Sequence, residues 1–263
     1  MRRRLGLILA VSATLTFALW TAGASADNVT LPLCPSLGNA VSGTYNGSLT
    51  ITGDAYVAKG ATLTVRGNLT IAPGACLDAF SLGTVTVGGN VLVGSGAILA
   101  LGCSPGALGP PLDQAPCSGQ TTSDVVGGSI LANQPLTMYL TADTIHGSVI
   151  SNGGGGSAAL TTSFPIKENS IGGNLIVQGW QGAWFGALRN HVRGNAIFQN
   201  NSAFIPGVTG QGPDSTEIVA NTVSGSLICT GNSPGAQFGD AGNTPNVVSG
   251  NALGECAAIS VKG

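Results

Sequence analysis

Two aspartates and one histidine are the side chains whose spacing could support catalysis. Asp124 and Asp143 each stand four residues before a glycine of a recurring motif, and His146 directly precedes the second of these glycines. If both motifs fold alike, the carboxylates lie about 5 Å apart, the separation found in retaining glycosidases, where repulsion raises one pKa. His146 would then act as a general base. The alternative is structural: Asx side chains bond the backbone at a turn, and His146 occupies a solvent position.

A second candidate is the aromatic cluster within residues 178–185, which contains Trp180, Trp184 and Phe185. Exposed tryptophan rings stack on the apolar C–H faces of sugars, so the cluster predicts a carbohydrate-binding site. The alternative is a loop that packs its aromatic rings against the body of the protein.

An internal repeat must position these residues. The motif apolar-x-Gly-Asn/Ser-apolar occurs nine times, and its glycines are Gly47, Gly67, Gly89, Gly128, Gly147, Gly173, Gly194, Gly225 and Gly250. The residues two before and two after each glycine are apolar or aromatic, an alternation that indicates a strand with one buried face. The residue after each glycine is always Asn or Ser, which predicts stacked polar side chains that hydrogen-bond along the stack.

The last six copies also carry Asp or Asn four residues before the glycine. These residues are Asp124, Asp143, Asn169, Asn190, Asn221 and Asn246. In-register coils would stack them into a second ladder, which we call the Asx ladder.

One strand for roughly every 20 residues predicts an all-β fold, a right-handed parallel β-helix (β-solenoid) of about ten coils. The 42 glycines have no collagen period and disfavour long helices. A propeller blade would need a repeat about twice as long. Gly- and Pro-rich insertions at residues 103–125, 151–168, 199–217 and 230–245 are expected to lengthen particular coils as loops.

The N-terminus has the pattern of a secretory signal peptide. A basic start is followed by an apolar stretch from Leu5 to Trp20 and by the small residues Ala24-Ser25-Ala26. This predicts a signal peptide at residues 1–26 and a secreted, extracellular single β-helix domain at residues 27–263. Without the leader, six basic and eleven acidic side chains remain, a net charge of −5. That charge argues against a nucleic acid partner and against binding to an anionic membrane after cleavage.

Six cysteines follow the predicted cleavage site, and in an exported chain an even number indicates three disulfides. Fifteen connectivities are open; pairing of neighbours predicts Cys34–Cys76, Cys103–Cys117 and Cys229–Cys256. The absence of a Cys-x-x-Cys pair and the presence of only two histidines argue against a zinc site. Neither a metal nor a cofactor is predicted.

Two resemblances add to this interpretation. Residues 65–71 (Val-Arg-Gly-Asn-Leu-Thr-Ile) and 87–93 (Val-Gly-Gly-Asn-Val-Leu-Val) resemble coils of bactofilin-like polymer-forming β-helices, which are intracellular and poor in cysteine, unlike this chain. Residues 221–232 and 250–256 are similar to uncharacterised secreted β-helix proteins of actinobacteria. The second resemblance implies the fold and the compartment but no activity.

The sequence therefore predicts a secreted, non-enzymatic β-helix with a structural or adhesive role at or outside the cell surface. Its partner would be a cell-surface polysaccharide or another copy of the chain. The alternative is a polysaccharide-binding or polysaccharide-cleaving β-helix, a lyase or hydrolase, that uses Asp124, Asp143 and His146 with Trp180 and Trp184. This alternative requires the aspartates to line an open groove near the histidine or the tryptophans.

Overall fold

The structure is a computed structural model, and it describes residues 34, 38–80, 83–102, 124–156, 163–203, 216–239 and 241–263. In these residues the secondary structure is β-strand apart from one 3₁₀ helix, Glu255–Ile259. The strands form three large sheets, which we call A, B and C, and one small sheet of β19 (Gln181–Gly182) and β23 (Ser202–Ala203).

Sheet A has eight strands: β1 (Asn39–Ala40), β4 (Asp54–Tyr56), β7 (Cys76–Asp78), β10 (Ile98–Gly102), β13 (Thr137–Thr141), β16 (Ser163–Lys167), β20 (Trp184–Leu188) and β24 (Thr216–Val219). Sheet B has ten: β2 (Gly43–Tyr45), β5 (Thr62–Val65), β8 (Thr84–Val87), β11 (Val125–Val126), β14 (Thr144–Ile145), β17 (Ser170–Ile171), β21 (His191–Val192), β25 (Thr222–Val223), β27 (Asn246–Val248) and β29 (Ser260–Lys262). Sheet C has nine: β3 (Leu49–Ile51), β6 (Leu69–Ile71), β9 (Val91–Val93), β12 (Ile130–Asn133), β15 (Val149–Asn152), β18 (Leu175–Gln178), β22 (Ala196–Gln199), β26 (Leu227–Thr230) and β28 (Ala252–Gly254).

The chain passes from sheet A to sheet B to sheet C and then returns to sheet A. Paired strands are parallel in all three sheets, for example β10 with β13, β5 with β8, and β18 with β22. Because parallel neighbours require a crossover connection, each turn of the chain through the other two sheets supplies that crossover. The all-β fold with parallel sheets is confirmed, and the strand order is consistent with the predicted solenoid.

The strand alternation predicted from the motif is confirmed in the core. Residues two before the glycine, such as Val87 and Ile145, and residues two after it, such as Leu69 and Leu175, are at most 2% exposed through the middle coils. The exceptions lie in the end coils, where Tyr45, Leu49 and Ala252 are half-buried. An end coil has a neighbour on one side only, so its inward side chains keep part of their exposed surface.

Sheet A is buried on both sides from β10 onward. Its inward residues join the main core, and its outward residues form small clusters, such as Phe80 with Ala100 and Tyr139. Because both faces are covered, apolar side chains point outward as well as inward, and the sequences of these strands lack the alternation seen elsewhere. The predicted loops 151–168 and 199–217 are too long, because they include β16 and the first half of β24.

Two of the three predicted disulfides are present. Cys34 pairs with Cys76 on sheet A, with Cα atoms 5.6 Å apart, and Cys229 of β26 pairs with Cys256 of the 3₁₀ helix, with Cα atoms 5.3 Å apart. The predicted Cys103–Cys117 pair and the signal peptide lie outside the described residues. The disulfides indicate an oxidising environment.

Candidate functional site

The Asx ladder lies at the corner where the chain turns from sheet A to sheet B. Its side chains point into the protein, and its asparagines are at most 2% exposed. The residue before four of the rungs has a left-handed backbone, with φ between 55° and 62°: Ala142, Glu168, Arg189 and Ala220. This local reversal directs the next side chain inward, toward the edge of sheet A.

The asparagines of this ladder satisfy one another. Asn221 Oδ1 accepts both the backbone N–H of Asn190, at 3.0 Å, and the side-chain Nδ2 of Asn190, at 2.9 Å. Asn190 Nδ2 also donates to the carbonyl oxygen of Ile166, at 2.8 Å. The same pattern joins Asn169 to Asn190, so an interior rung needs one accepting atom and one donating atom on each side chain. Asparagine supplies both.

Asp124 is a carboxylate whose two oxygens both receive donors. Its Oδ1 accepts the backbone N–H of Val85 at 2.6 Å, and its Oδ2 accepts that of Gly102 at 2.7 Å. Gly102 has φ of 90°, and a Cβ there would overlap the carbonyl oxygen of Thr141, so only glycine brings its N–H to this point. Burial raises the pKa of Asp124 to about 6, and the two backbone hydrogen bonds offset part of that rise.

Asp143 is the next rung, because β11 and β14 pair Val125 with Thr144. Its backbone N–H donates to Asn169 Oδ1 at 2.9 Å, as the ladder requires. Within the described part of the chain, neither carboxyl oxygen accepts a well-formed hydrogen bond. Burial raises the pKa of Asp143 well above its usual range, the Asp124 carboxylate raises it further, and the Thr141 backbone lowers it only in part. Its surroundings therefore favour the protonated form of this carboxyl.

The structure brings the two aspartates together but separates them from the predicted base. Asp124 and Asp143 are each 1% exposed, whereas His146 is exposed. His146 follows the inward residue Ile145, so its side chain leaves sheet B on the solvent side. The open groove that catalysis by these three residues requires is absent from the described residues, because the carboxyls are enclosed in the corner.

The predicted stacking platform is corrected by the structure. Trp180 and Phe185 are 0% exposed and Trp184 is 4% exposed, so none of them offers a face to a sugar. Trp180 and Phe185 pack in the core with Phe164, with ring centroids 5.2 to 6.5 Å apart. The Trp180 indole N–H donates to the carbonyl oxygen of Leu136 at 3.1 Å. Trp184 faces outward from sheet A but is covered, and Lys167 Nζ lies 4.9 Å from its ring.

The Asn/Ser ladder after the motif glycines is confirmed at the corner between sheets B and C. At each step the backbone N–H of one rung donates to the side-chain oxygen of the preceding rung, as Asn68 does to Ser48 and Asn90 to Asn68. Eight such bonds join all nine rungs. The bonds involve the backbone of one partner, rather than side chains alone as the sequence pattern predicts.

A third ladder, at the corner from sheet C to sheet A, is not predicted from the sequence. The Trp180 backbone N–H donates to Asn201 Oδ1, and Asn201 N–H and Nδ2 donate to Asn232 Oδ1. Glu255 ends this ladder, accepting the backbone N–H of Asn232 at 2.9 Å and its Nδ2 at 2.8 Å. The available signal is an Asn seven residues after the motif glycine, but only two copies carry it.

The described ranges hold no cluster of three or more His, Cys, Asp or Glu side chains placed to bind a metal ion. A search of the described residues for a helix long and apolar enough to cross a membrane finds none. Comparison with known proteins finds no matching family model, no similar curated protein and no similar solved structure.

Proposed function

We propose that this protein is an exported, non-enzymatic, right-handed parallel β-helix of about ten coils that serves a structural or adhesive role at or outside the cell surface. The observation that carries the proposal is the enclosure of its reactive groups. Asp124 and Asp143 are built into an interior ladder, and Trp180 and Trp184 are packed among other side chains. Each of these residues contributes to a rigid body rather than to a solvent-accessible site.

Three further points support the proposal. Hydrogen-bonded side chains at all three corners join neighbouring coils, as a structural or surface-presenting element requires. Two disulfides indicate an oxidising compartment, in agreement with the predicted signal peptide and with the resemblance to secreted actinobacterial β-helix proteins. The strong preference for right-handed crossovers between parallel strands supports the handedness.

Cell fractionation tests the compartment. Cells producing the full chain should release or display a product whose N-terminus, read by mass spectrometry, lies near Asp27. Recovery of the uncleaved chain in the cytoplasm, with its thiols reduced, would overturn the proposal of export. A variant that lacks residues 1–26 is the matched control and should stay in the cytoplasm.

An activity assay tests the absence of catalysis. The purified mature protein should release neither reducing ends nor unsaturated sugars from a panel of pectic and cell-wall polysaccharides. The matched variant is Asp143→Asn, which keeps the shape of the side chain but removes the acid. Product formation by the native chain that Asp143→Asn abolishes would favour the polysaccharide-cleaving alternative.

A further inference from the structure

The outward side of sheet C presents three parallel columns of side chains, which we call face C. The first column is the Asn/Ser ladder at the corner: Ser48, Asn68, Asn90, Ser129, Ser148, Asn174, Asn195, Ser226 and Asn251. The middle column is Thr50, Thr70, Leu92, Leu131, Ile150, Ile176, Ile197, Ile228 and Leu253. The third column is Asn133, Asn152, Gln178, Gln199 and Thr230.

The middle column is an uninterrupted aliphatic stripe over its last seven rungs. Strand pairing places Leu131 opposite both Leu92 and Ile150, and the register continues without a bulge to Leu253. Leu92, Leu131 and Leu253 are 36%, 38% and 48% exposed, and the four isoleucines between them are half-buried. Single exposed apolar residues are ordinary, but a contiguous row of seven marks an interaction surface.

Face C carries no charge, and many of its side-chain oxygens accept hydrogen bonds from within the chain. Its three columns contain no Asp, Glu, Lys or Arg, although the chain has twenty such residues. The side-chain oxygens of the first column accept backbone N–H groups of the next rung, as Asn174 does from Asn195. In the third column Gln178 donates to Gln199, and Gln199 donates to Thr230. Many of the side-chain oxygens that flank the stripe are therefore already bonded within the chain.

These properties identify the chemistry of the partner. A polysaccharide surface needs donors and acceptors for its hydroxyl groups, and face C has used many of its own along the ladders. A charged partner would find no opposite charge. A surface that is apolar along its centre and uncharged matches best, and face C itself is such a surface.

The dimensions allow such a pairing. Nine strands about 4.8 Å apart give a length of roughly 38 Å, and three or four residues along each strand give a width of about 10–13 Å. Pairing of two such faces buries about 800–1,000 Å² in total, the range of a weak interface. Two sheets pack face to face about 10 Å apart, close enough for the aliphatic columns to interdigitate.

We propose that face C binds face C of a second copy of this chain, forming a side-by-side dimer related by a two-fold axis. A two-fold axis that runs parallel to the strands, between the two faces, brings each column against its own counterpart. Aliphatic side chains then pack on aliphatic ones and polar on polar. The absence of charge avoids repulsion between two chains that are both negative overall. The inference deepens the proposed structural role and rests on it for its biological meaning.

Sedimentation velocity of the disulfide-bonded mature protein tests this proposal. With an interface of this size, we expect a monomer–dimer equilibrium with micromolar affinity. Ile176→Lys places a charge in the middle of the aliphatic column and should weaken the dimer at least tenfold. Thr144→Lys, on the outward side of sheet B, is the matched control and should leave the affinity unchanged. Circular dichroism and thermal melting of both variants check that each is folded.

Small-angle scattering identifies the geometry. A side-by-side dimer should keep nearly the same maximum dimension as the monomer, whereas an end-to-end dimer would nearly double it. A protein that stays monomeric at the highest soluble concentration, an elongated dimer, or a dimer indifferent to Ile176→Lys would each overturn the proposal. So would a monomer that binds an insoluble polysaccharide through Ile176, since the occupant would then be a glycan. None of these results alters the outcome of the fractionation experiment, so the two proposals fail separately.

Discussion

Asp143 lies one rung from Asp124 in the same buried ladder, yet only Asp124 has a backbone donor for each carboxyl oxygen. A carboxylate accepts at both oxygens, so it fits a position that faces two N–H groups. The interior rungs instead demand one donor and one acceptor, as at Asn190. Asp124 and Glu255 occupy positions where both oxygens accept. Asp143 occupies an interior position, where an ionised carboxylate lacks the donor that an amide supplies.

Replacing the two aspartates by asparagine should have opposite effects on stability. Asp143→Asn supplies the missing Nδ2 donor, and we expect it to raise the free energy of unfolding at neutral pH by about 1–3 kcal/mol. Asp124→Asn would set an amide NH₂ against the N–H of Val85 or Gly102, and we expect a loss of similar size. Urea denaturation of both variants measures the difference. Equal effects of the same sign would contradict this account of the ladder.

The stability of the native protein should fall as the pH rises from acidic to neutral. The pKa of Asp124 is raised from 3.8 to about 6, and that of Asp143 is also raised well above 3.8, so the folded state binds these protons more tightly than the unfolded state. Their contribution is fully present below about pH 4 and is lost as the pH rises through the folded pKa values. The advantage of Asp143→Asn over the native chain should therefore grow between about pH 4 and about pH 7.

Urea denaturation at a series of pH values checks this dependence. Asn190→Ser is a suitable control because it disturbs the same ladder without removing a titratable group, so its effect should be nearly the same at each pH. An advantage of Asp143→Asn that stays constant across the series would mean that Asp143 does not change its protonation on unfolding.

Interior and exposed ladder residues should differ in their contribution to stability. Asn190→Ala removes the side-chain partners of the Asn169 backbone and of the Ile166 carbonyl in a buried corner, and we expect a loss of about 2–4 kcal/mol. Asn195→Ala removes one bond, to the backbone of Ser226 at an exposed corner, where water replaces it, and we expect about 1 kcal/mol or less. Chemical denaturation of the two variants tests the comparison, and equal losses would contradict it.

The buried aromatic cluster should contribute to stability rather than to sugar binding. Trp180→Ala should lower the free energy of unfolding by about 3–5 kcal/mol, because a large core side chain leaves a cavity. His191→Ala, at an exposed position on sheet B, is the control and should change it by less than about 0.5 kcal/mol. Glycan binding that quenches the native tryptophan fluorescence would show that a tryptophan becomes accessible and would contradict the packing described above.

The sequence predicts most of the fold because the solenoid repeats its own pattern. Val87 and Val91 on either side of Gly89 already show the inward alternation, and Asn90 marks the ladder. The burial of Trp184 is not predictable in this way. It depends on what covers the outer side of sheet A, and that covering comes from segments such as the one containing Phe238, which do not follow the repeat.

The candidate site is predictable only in part, for the same physical reason. Register places Asp124 beside Asp143, as the motif predicts, because both follow the same count from their glycines. The repeat period of the sequence does not show whether a corner is open to solvent or whether its side chains are buried. The ladder that ends at Glu255 is not predicted because it has few rungs. In addition, Asn201 and Asn232 follow their motif glycines by seven residues, whereas Glu255 follows Gly250 by five.

The hydrogen bonds of the Asn/Ser ladder and of the Asx ladder run in opposite directions along the chain. This predicts an order in which these bonds form during synthesis. At the corner between sheets B and C, the backbone N–H of a newly made coil donates to a side chain of the coil before it, as Asn195 does to Asn174. At the Asx corner the acceptor arrives with the coil that follows, so the backbone N–H of Asn190 stays unsatisfied until Asn221 is in place. Each coil thus first forms hydrogen bonds to the coil before it through the Asn/Ser ladder, and the Asx ladder adds bonds to the coil after it.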